Sequence, residues 1–252
     1  RLSGLGSNPD VALVRDGATR WCYSAGNATN DFQVRDLTNP ASSVLRGGLD
    51  LAGTPNALVV LGNIALISAR TVGLYAVDVS VPDTPLLVDT EVVTGIHVGV
   101  SADGTRAALA SGAAGFTLFD VTNPANPIRR ATVIPAAGTW SNLSVSEVIV
   151  HGTTLYAICQ DAGALAYDID NLNAPVLVGY DPRLDLAPPA PPYYVFNEGV
   201  YADGRLYLSQ WNGFTPGCII LDATSADMTY LGRALGFGYV RDVDEDAGFV
   251  YG

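Results

Sequence analysis

Lysine is absent from this 252-residue sequence, and all 13 basic side chains are arginine. P-loops, Schiff-base enzymes and Ser-Lys hydrolases each need an amine at the site, so these reaction classes are excluded. The 25 acidic residues bring the formal net charge to -12. Because such a surface repels phosphate groups, we expect no nucleic acid partner and no binding to anionic lipid.

Imidazole and thiol groups are also scarce. His97 and His151 are the only histidines, which excludes a three-His zinc site, and neither an HExxH nor a CxxC motif occurs. The three cysteines fall in predicted strands, where buried free thiols are expected. The most apolar stretch, residues 57–69, is interrupted by Gly62 and Asn63. It is shorter than the roughly 18 apolar residues of a membrane helix, so we expect no membrane insertion.

A repeat dominates what is present. A five-residue, mostly apolar run closed by Asp recurs at residues 32–36, 74–78, 116–120, 164–168 and 218–222. We call Asp36, Asp78, Asp120, Asp168 and Asp222 the closing Asp residues; their spacings are 42, 42, 48 and 54 positions. After three of them comes a turn ending in Pro, as in residues 36–40. Asp and Asn side chains bond the backbone two residues on, so each copy predicts a strand end and a tight turn.

Each copy holds four short β-rich runs separated by Gly or Asp turns, and no helical period competes. Four antiparallel strands in about 42 residues are typical of a β-propeller blade. The sequence therefore predicts an all-β fold, a single β-propeller domain over residues 1–252. The predicted complete blades are residues 10–51, 56–92, 95–134, 143–181 and 195–235.

Residues 238–252 predict the first half of a sixth blade. Half a blade has an open sheet edge, which invites pairing with another strand. We therefore expect a fragment of a longer protein, or a blade completed by other strands, for which another chain is one source. The start at Arg1, without Met, suits a processed product.

The strand closed by Asp, the Ser/Thr-Asn-Pro turn and the following strand, as in residues 175–179, resemble LVIVD-repeat proteins. These are bacterial and archaeal β-propellers found mostly outside the cytoplasm. The resemblance covers nearly the whole chain and implies an extracellular, cell-surface or periplasmic location. Its motif carries no catalytic residue, so it implies a fold and not an activity.

Three enlarged loops, residues 135–143, 181–197 and 210–217, are predicted on one face of blades four and five. They carry five aromatic side chains, Trp140, Tyr193, Tyr194, Trp211 and Phe214. Flat rings with polar edges suit a glycan, peptide or protein partner. The alternative is that these rings pack the Pro-rich loops onto the blades.

A second candidate is the mouth of the predicted channel. Aligning the innermost strands places His97, Glu147 and Asn197 at positions equivalent to Ala57. Such a ring suits a divalent cation or general acid-base chemistry in a hydrolase or lyase. The alternative is a hydrated channel whose polar groups bind water. His151, at a hairpin turn, is predicted to be an exposed surface imidazole.

A third candidate is the acidic segment 242–248, where Asp242, Asp244 and Asp246 alternate. Clustered carboxylates favour calcium, and the spacing begins like an EF-hand loop. Its Gly comes one place late and no bidentate Glu follows, so a solvated acidic turn is the alternative.

Together these features favour a binding or assembly scaffold outside the cytoplasm that presents an aromatic loop face, and they weigh against an enzyme. Two alternatives stay open. One is a propeller hydrolase or lyase with a divalent cation at the channel mouth. The other is a structural spacer in a larger surface protein.

Overall fold

The computed structural model describes residues 7–27, 31–39, 41–136, 143–160, 163–180, 196–210, 217–225, 228–235, 244–246 and 249–251. The regular secondary structure in these ranges is entirely β, in 22 strands. The strands form five antiparallel sheets of four and one sheet of two. In each four-stranded sheet the strands lie side by side in chain order, as predicted for propeller blades. We call these sheets blades one to five.

The strands of blade one are β1 (Ser7–Asp16), β2 (Thr19–Asn27), β3 (Phe32–Asp36) and β4 (Val44–Leu49). Those of blade two are β5 (Pro55–Leu61), β6 (Ile64–Ala69), β7 (Gly73–Asp78) and β8 (Leu86–Val92). Those of blade three are β9 (Gly99–Asp103), β10 (Arg106–Ala110), β11 (Phe116–Asp120) and β12 (Ile128–Val133). Those of blade four are β13 (Val145–His151), β14 (Thr154–Cys159), β15 (Gly163–Asp168) and β16 (Val176–Tyr180). Those of blade five are β17 (Phe196–Ala202), β18 (Arg205–Gln210), β19 (Gly217–Asp222) and β20 (Thr229–Leu235). The two-stranded sheet pairs β21 (Asp244–Asp246) with β22 (Phe249–Tyr251).

The chain forms two compact units. The first consists of Arg1–Leu109 with Phe119–Arg129, and the second of Ala110–Leu118 with Arg130–Gly252. Within the first unit, the first strands of consecutive blades are neighbours, β1 beside β5 and β5 beside β9. Within the second unit, β17 lies between β13 and β21 in the same way.

Consecutive blades bury apolar side chains between their faces. In the first unit, Phe32 and Val34 of blade one pack with Tyr75 and Val77 of blade two. In the second unit, Ala164 and Ala166 of blade four pack with residues of β18 and β19, including Leu221. A sheet covered on both faces needs apolar residues at successive positions, which explains why β6 is buried along its whole length.

The closing Asp residues make the predicted turns in all five blades. The carboxylate of each accepts a hydrogen bond from the backbone amide two residues on, over 2.8–3.0 Å. In blade five the Thr224 hydroxyl also donates to Asp222 Oδ1. These bonds from Thr224 hold the pKa of the Asp222 carboxyl below its usual range. The residue after each closing Asp donates its amide back to a carbonyl at or just beyond the first hairpin turn. This pair of bonds ties each third strand to its own blade.

Candidate functional site

Three blades have a carboxylate at the same position of their first strand, which we call the acidic position. It is the fifth residue before the first hairpin turn, which is Glu147 in blade four and Glu198 in blade five; in blade two the same position is Ala57. A β-bulge in the first strand lies next to each of these residues. The hairpin of blade one is longer by two residues on each strand, so its equivalent residue is Asp10.

These carboxylates bond the backbone. Asp10 Oδ1 accepts a hydrogen bond from the Val11 amide, and its Oδ2 accepts one from the Leu58 amide of blade two, each over 2.8 Å. Glu147 Oε1 accepts one from the Val148 amide over 3.0 Å. The acidic position therefore acts at least in part as a structural bond at the bulge, and in blade one it also joins two blades.

The structure places His97 two residues before this position. Counting from the hairpin turn, Gly99 is the blade-three equivalent of Ala57, and His97 corresponds to Pro55 and Val145. The backbone agrees, since the His97 amide bonds Arg70 O just as the Val145 amide bonds Gly112 O. The predicted equivalence of His97 and Glu147 is therefore wrong, because the strands start at different distances from their hairpins.

His97 is a core residue. Its side chain is 0% exposed and its Nε2 lies 2.9 Å from Val93 O. A carbonyl only accepts, so Nε2 carries the proton and donates it. Burial lowers the pKa of His97, and the hydrogen bond to Val93 offsets part of that effect. The ring is thus neutral at pH 7, with Nε2 committed to the backbone.

The other two residues of the proposed channel ring are in first strands. Glu147 lies in β13 and is half-buried, at the acidic position. Asn197 lies in β17, one residue before the acidic position, which Glu198 occupies. The Ser209 hydroxyl donates to Glu198 O and accepts from the Glu198 amide, each over 3.1 Å. Sequence alignment missed Glu198 because it set Val200 against Val60, whereas the hairpin register sets Tyr201 against Val60.

The proposed metal ligands fall partly within the described residues. Asp244 and Asp246 lie in β21, where Asp246 pairs with Phe249 of β22. Asp242 lies outside the described residues. Within the described ranges, no group of three or more His, Cys, Asp or Glu side chains is placed to hold a metal ion.

The five aromatic loop residues, Trp140, Tyr193, Tyr194, Trp211 and Phe214, all lie outside the described residues. The loop face predicted from them therefore stays a prediction. Burial raises the pKa of the Cys22 thiol and brings that of Cys218 to about 11, so both thiols stay protonated near neutral pH. All three cysteines are buried and unbridged.

An aromatic stack joins blades four and five. His151 is exposed, as predicted, but its ring stacks on Tyr201 with the centroids 4.1 Å apart. Tyr201 in turn stacks on Tyr156, whose hydroxyl donates to Ala223 O over 3.2 Å. Burial raises the pKa of Tyr156 to about 12, so the hydroxyl stays protonated in the physiological range. The spacing of aromatic residues in the sequence does not indicate this contact, because it depends on how two blades face each other.

The outermost strand of each blade exposes large apolar side chains. In blade two Leu86, Leu87 and Val88 are consecutive and are 61%, 39% and 39% exposed. The exposed apolar residues of the other outer strands are Val44, Leu45, Ile128, Val176, Val178, Tyr230 and Leu231. A contiguous run of exposed apolar side chains, such as the three in blade two, is a feature of interaction surfaces.

No long apolar helix that would cross a membrane is found in the described part of the chain. No family model matches the chain, and no curated protein matches it.

Solved structures share its fold. The computationally designed Ika8 protein superposes with a TM-score of 0.66 at 10% identity, over 96% of this chain and 66% of that one. Sqt1 of Saccharomyces cerevisiae gives 0.66 at 8% identity, over 92% of this chain and 64% of that one. YCF48 bound to D1 peptide gives 0.57 at 13% identity, over 86% of this chain and 64% of that one. This chain therefore spans about two thirds of the length of these structures. YCF48 and Sqt1 are β-propellers, and the five four-stranded antiparallel blades identify this chain as a β-propeller as well.

Proposed function

We propose that this β-propeller is a non-catalytic binding or assembly scaffold that acts outside the cytoplasm. The observation that carries the proposal is the exposed apolar outer strand, which recurs in all five blades. Water-exposed Leu, Val and Ile side chains on successive strands gain free energy when a partner covers them. The bonding of His97 and Asp10 to the backbone supports a scaffold over an enzyme.

The partner that we propose is a protein or peptide. The site that we propose for it is the loop face of blades four and five that carries Trp211, which is inferred from the sequence, and the exposed outer strands are the alternative site. YCF48 is solved bound to a peptide, which makes peptides the first class to test. A glycan is the second class, because aromatic rings also stack on sugars. The LVIVD-like repeat supports the location outside the cytoplasm.

Peptide and glycan arrays probed with the purified chain test this proposal. Wild type should bind a subset of one array, and Trp211→Ala should lose that binding. Leu13→Ala is the matched control, because Leu13 is 71% exposed on the first strand of blade one. This substitution removes a large apolar group away from the loop face. It should bind as wild type does.

A third variant, Leu86→Ser with Val88→Ser, separates the loop face from the outer strands. Loss of binding in this variant alone moves the site to the outer strand of blade two and makes the loop face wrong. Absence of binding by wild type on both arrays contradicts the proposed partner classes.

A further inference from the structure

Gly47 lies where blade one contacts the turn of blade two. In blade one, Gly47 pairs with Val34, two residues before the closing Asp36. A Cβ built on Gly47 would lie 2.5 Å from Pro82 O and 2.7 Å from Pro85 Cδ. Both prolines belong to the turn after the closing Asp78 of blade two. The turn of the following blade thus presses on the backbone of blade one at a point where only hydrogen fits.

The position equivalent to Gly47 in blade five is Gly232, and the space beside it is open. Gly232 pairs with Ile220, two residues before the closing Asp222. A Cβ built on Gly232 meets no atom within 4 Å among the described residues. No turn therefore occupies, in the described part of the chain, the place that Pro82 and Pro85 fill beside Gly47.

The apolar face around Gly232 is also less covered than its counterparts. In blade two, Leu66 and Ala76 pair with each other, face blade three and are 0% and 1% exposed. The corresponding pair in blade five is Tyr207 and Ile220, and both are only half-buried. Burying this remaining apolar surface would stabilise whatever covers it.

Strand β21 lies beside the first strand of blade five, at the inner edge of this face. β21 contacts β17, just as β5 contacts β1 and β13 contacts β17. The outer part of the face corresponds to the third and fourth strands of a following blade. A segment that docks there continues a contact that β17 and β21 already make.

We propose that the outer half of this face of blade five, formed by Tyr207, Cys218, Ile220 and Gly232, is a docking site for a strand–turn–strand segment. The segment carries apolar residues one and three positions before an Asp, as Val77 and Tyr75 do against blade one. The Asp closes a turn that contains Pro and that lies over Gly232. The first strand of this segment, which is equivalent to the third strand of a blade, pairs with β22. The Asp at its end lies opposite Phe249, as Asp78 lies opposite Ile64. This surface deepens the proposed scaffold function and rests on it.

A synthetic peptide with the sequence of residues 73–92 is the probe, because this segment makes the equivalent contact with blade one. It should bind the 252-residue chain and raise its melting temperature as the peptide concentration increases. A peptide of the same composition in scrambled order should do neither. Equal binding of both peptides overturns the proposal.

Gly232→Ala is the decisive variant. The added methyl group meets no described atom in the free chain, so the melting temperature without peptide should stay unchanged. It should weaken binding of the 73–92 peptide at least about tenfold, because the turn of this same segment leaves no room for a Cβ at the equivalent Gly47. Gly47→Ala is the matched control. Since the turn already covers Gly47, this variant should lower the melting temperature without peptide.

Equal peptide affinity of wild type and Gly232→Ala overturns the docking site. If the chain alone sediments as a dimer that Gly232→Ala dissociates, a second copy covers the face and the proposed occupant is wrong. Trp211→Ala should bind the 73–92 peptide as wild type does. Failure of the loop-face proposal is therefore distinguishable from failure of this one.

Discussion

A histidine fills a position in blade three that two other blades give to apolar residues. His97 is buried, and its counterparts Pro55 and Val145 are buried too. Burial lowers the pKa of His97 in the folded chain. Below the ordinary His pKa of about 6.5, the imidazole is therefore protonated more readily in the unfolded chain than in the folded one. The free energy of unfolding should therefore fall as the pH drops through about 6.5.

His97→Val should abolish most of this dependence between about pH 5 and 7, because Val already fits the equivalent position in blade four. Urea unfolding at a series of pH values measures it. An unchanged slope in His97→Val contradicts the assignment.

A second residue-scale prediction concerns Asp89 in β8. Its Oδ2 is buried and has no hydrogen-bond partner among the residues that the structure describes. The equivalent residues, eleven positions after the closing Asp in blades one and three, are Gly47 and Ala131. An unsatisfied buried acceptor costs about 1–3 kcal/mol. Asp89→Ala should therefore raise the free energy of unfolding by about 1 kcal/mol.

Chemical denaturation with an unchanged m-value would establish the Asp89 effect. Thr90→Ala, at the exposed neighbouring residue, should change stability by less than about 0.5 kcal/mol. A loss of stability in Asp89→Ala would mean that the carboxylate has a favourable role in the fold.

At the scale of the strand, Gly115, just before β11, and Gly62, at a hairpin turn, differ in the space available for a side chain. Gly115 has φ +81°, and a Cβ there would run into Val133 O of the neighbouring strand. Gly62 has φ +58°, but a Cβ there meets nothing within 4 Å. Gly115→Ala adds a steric clash to backbone strain and should cost about 3 kcal/mol or more. Gly62→Ala bears the strain alone and should cost about 1 kcal/mol.

Thermal unfolding of the two variants measures this difference. Both substitutions add one methyl group at a positive φ, so Gly62→Ala controls for the backbone term. If both variants melt at the same temperature, the close approach of Val133 has no energetic weight.

Strand-scale features differ in how far sequence could predict them. The closing Asp turns were predictable, because the donor lies two residues from the acceptor and the whole motif is local. The position of His97 was not, because β9 begins five residues before its hairpin turn, whereas β5 and β13 begin seven residues before theirs. The stack of His151 on Tyr201 and the open space at Gly232 depend on packing between blades. The loop face that carries Trp211 rests on sequence alone.

At the scale of the whole molecule, the net charge of -12 sets the response to salt. Compacting excess carboxylates costs electrostatic free energy, which screening reduces. The Debye length shortens from about 30 Å at 0.01 M salt to about 8 Å at 0.15 M. Relief of about 1 kcal/mol would raise the melting temperature by about 2–4 °C. A melting temperature that falls with NaCl would show that attractive pairs, such as Arg46 with Asp83, outweigh the net repulsion.

Calcium at matched ionic strength separates general screening from binding at the acidic segment. Screening depends on ionic strength, so it should act equally on wild type and on Asp244→Asn with Asp246→Asn, apart from the two charges removed. A cation held by Asp242, Asp244 and Asp246 would add an increment in wild type alone. We expect the double variant to keep the NaCl slope and to lose any calcium increment. Calorimetric scans in NaCl and in CaCl₂ measure both, and a calcium increment that persists in the double variant would place the bound ion elsewhere on the chain.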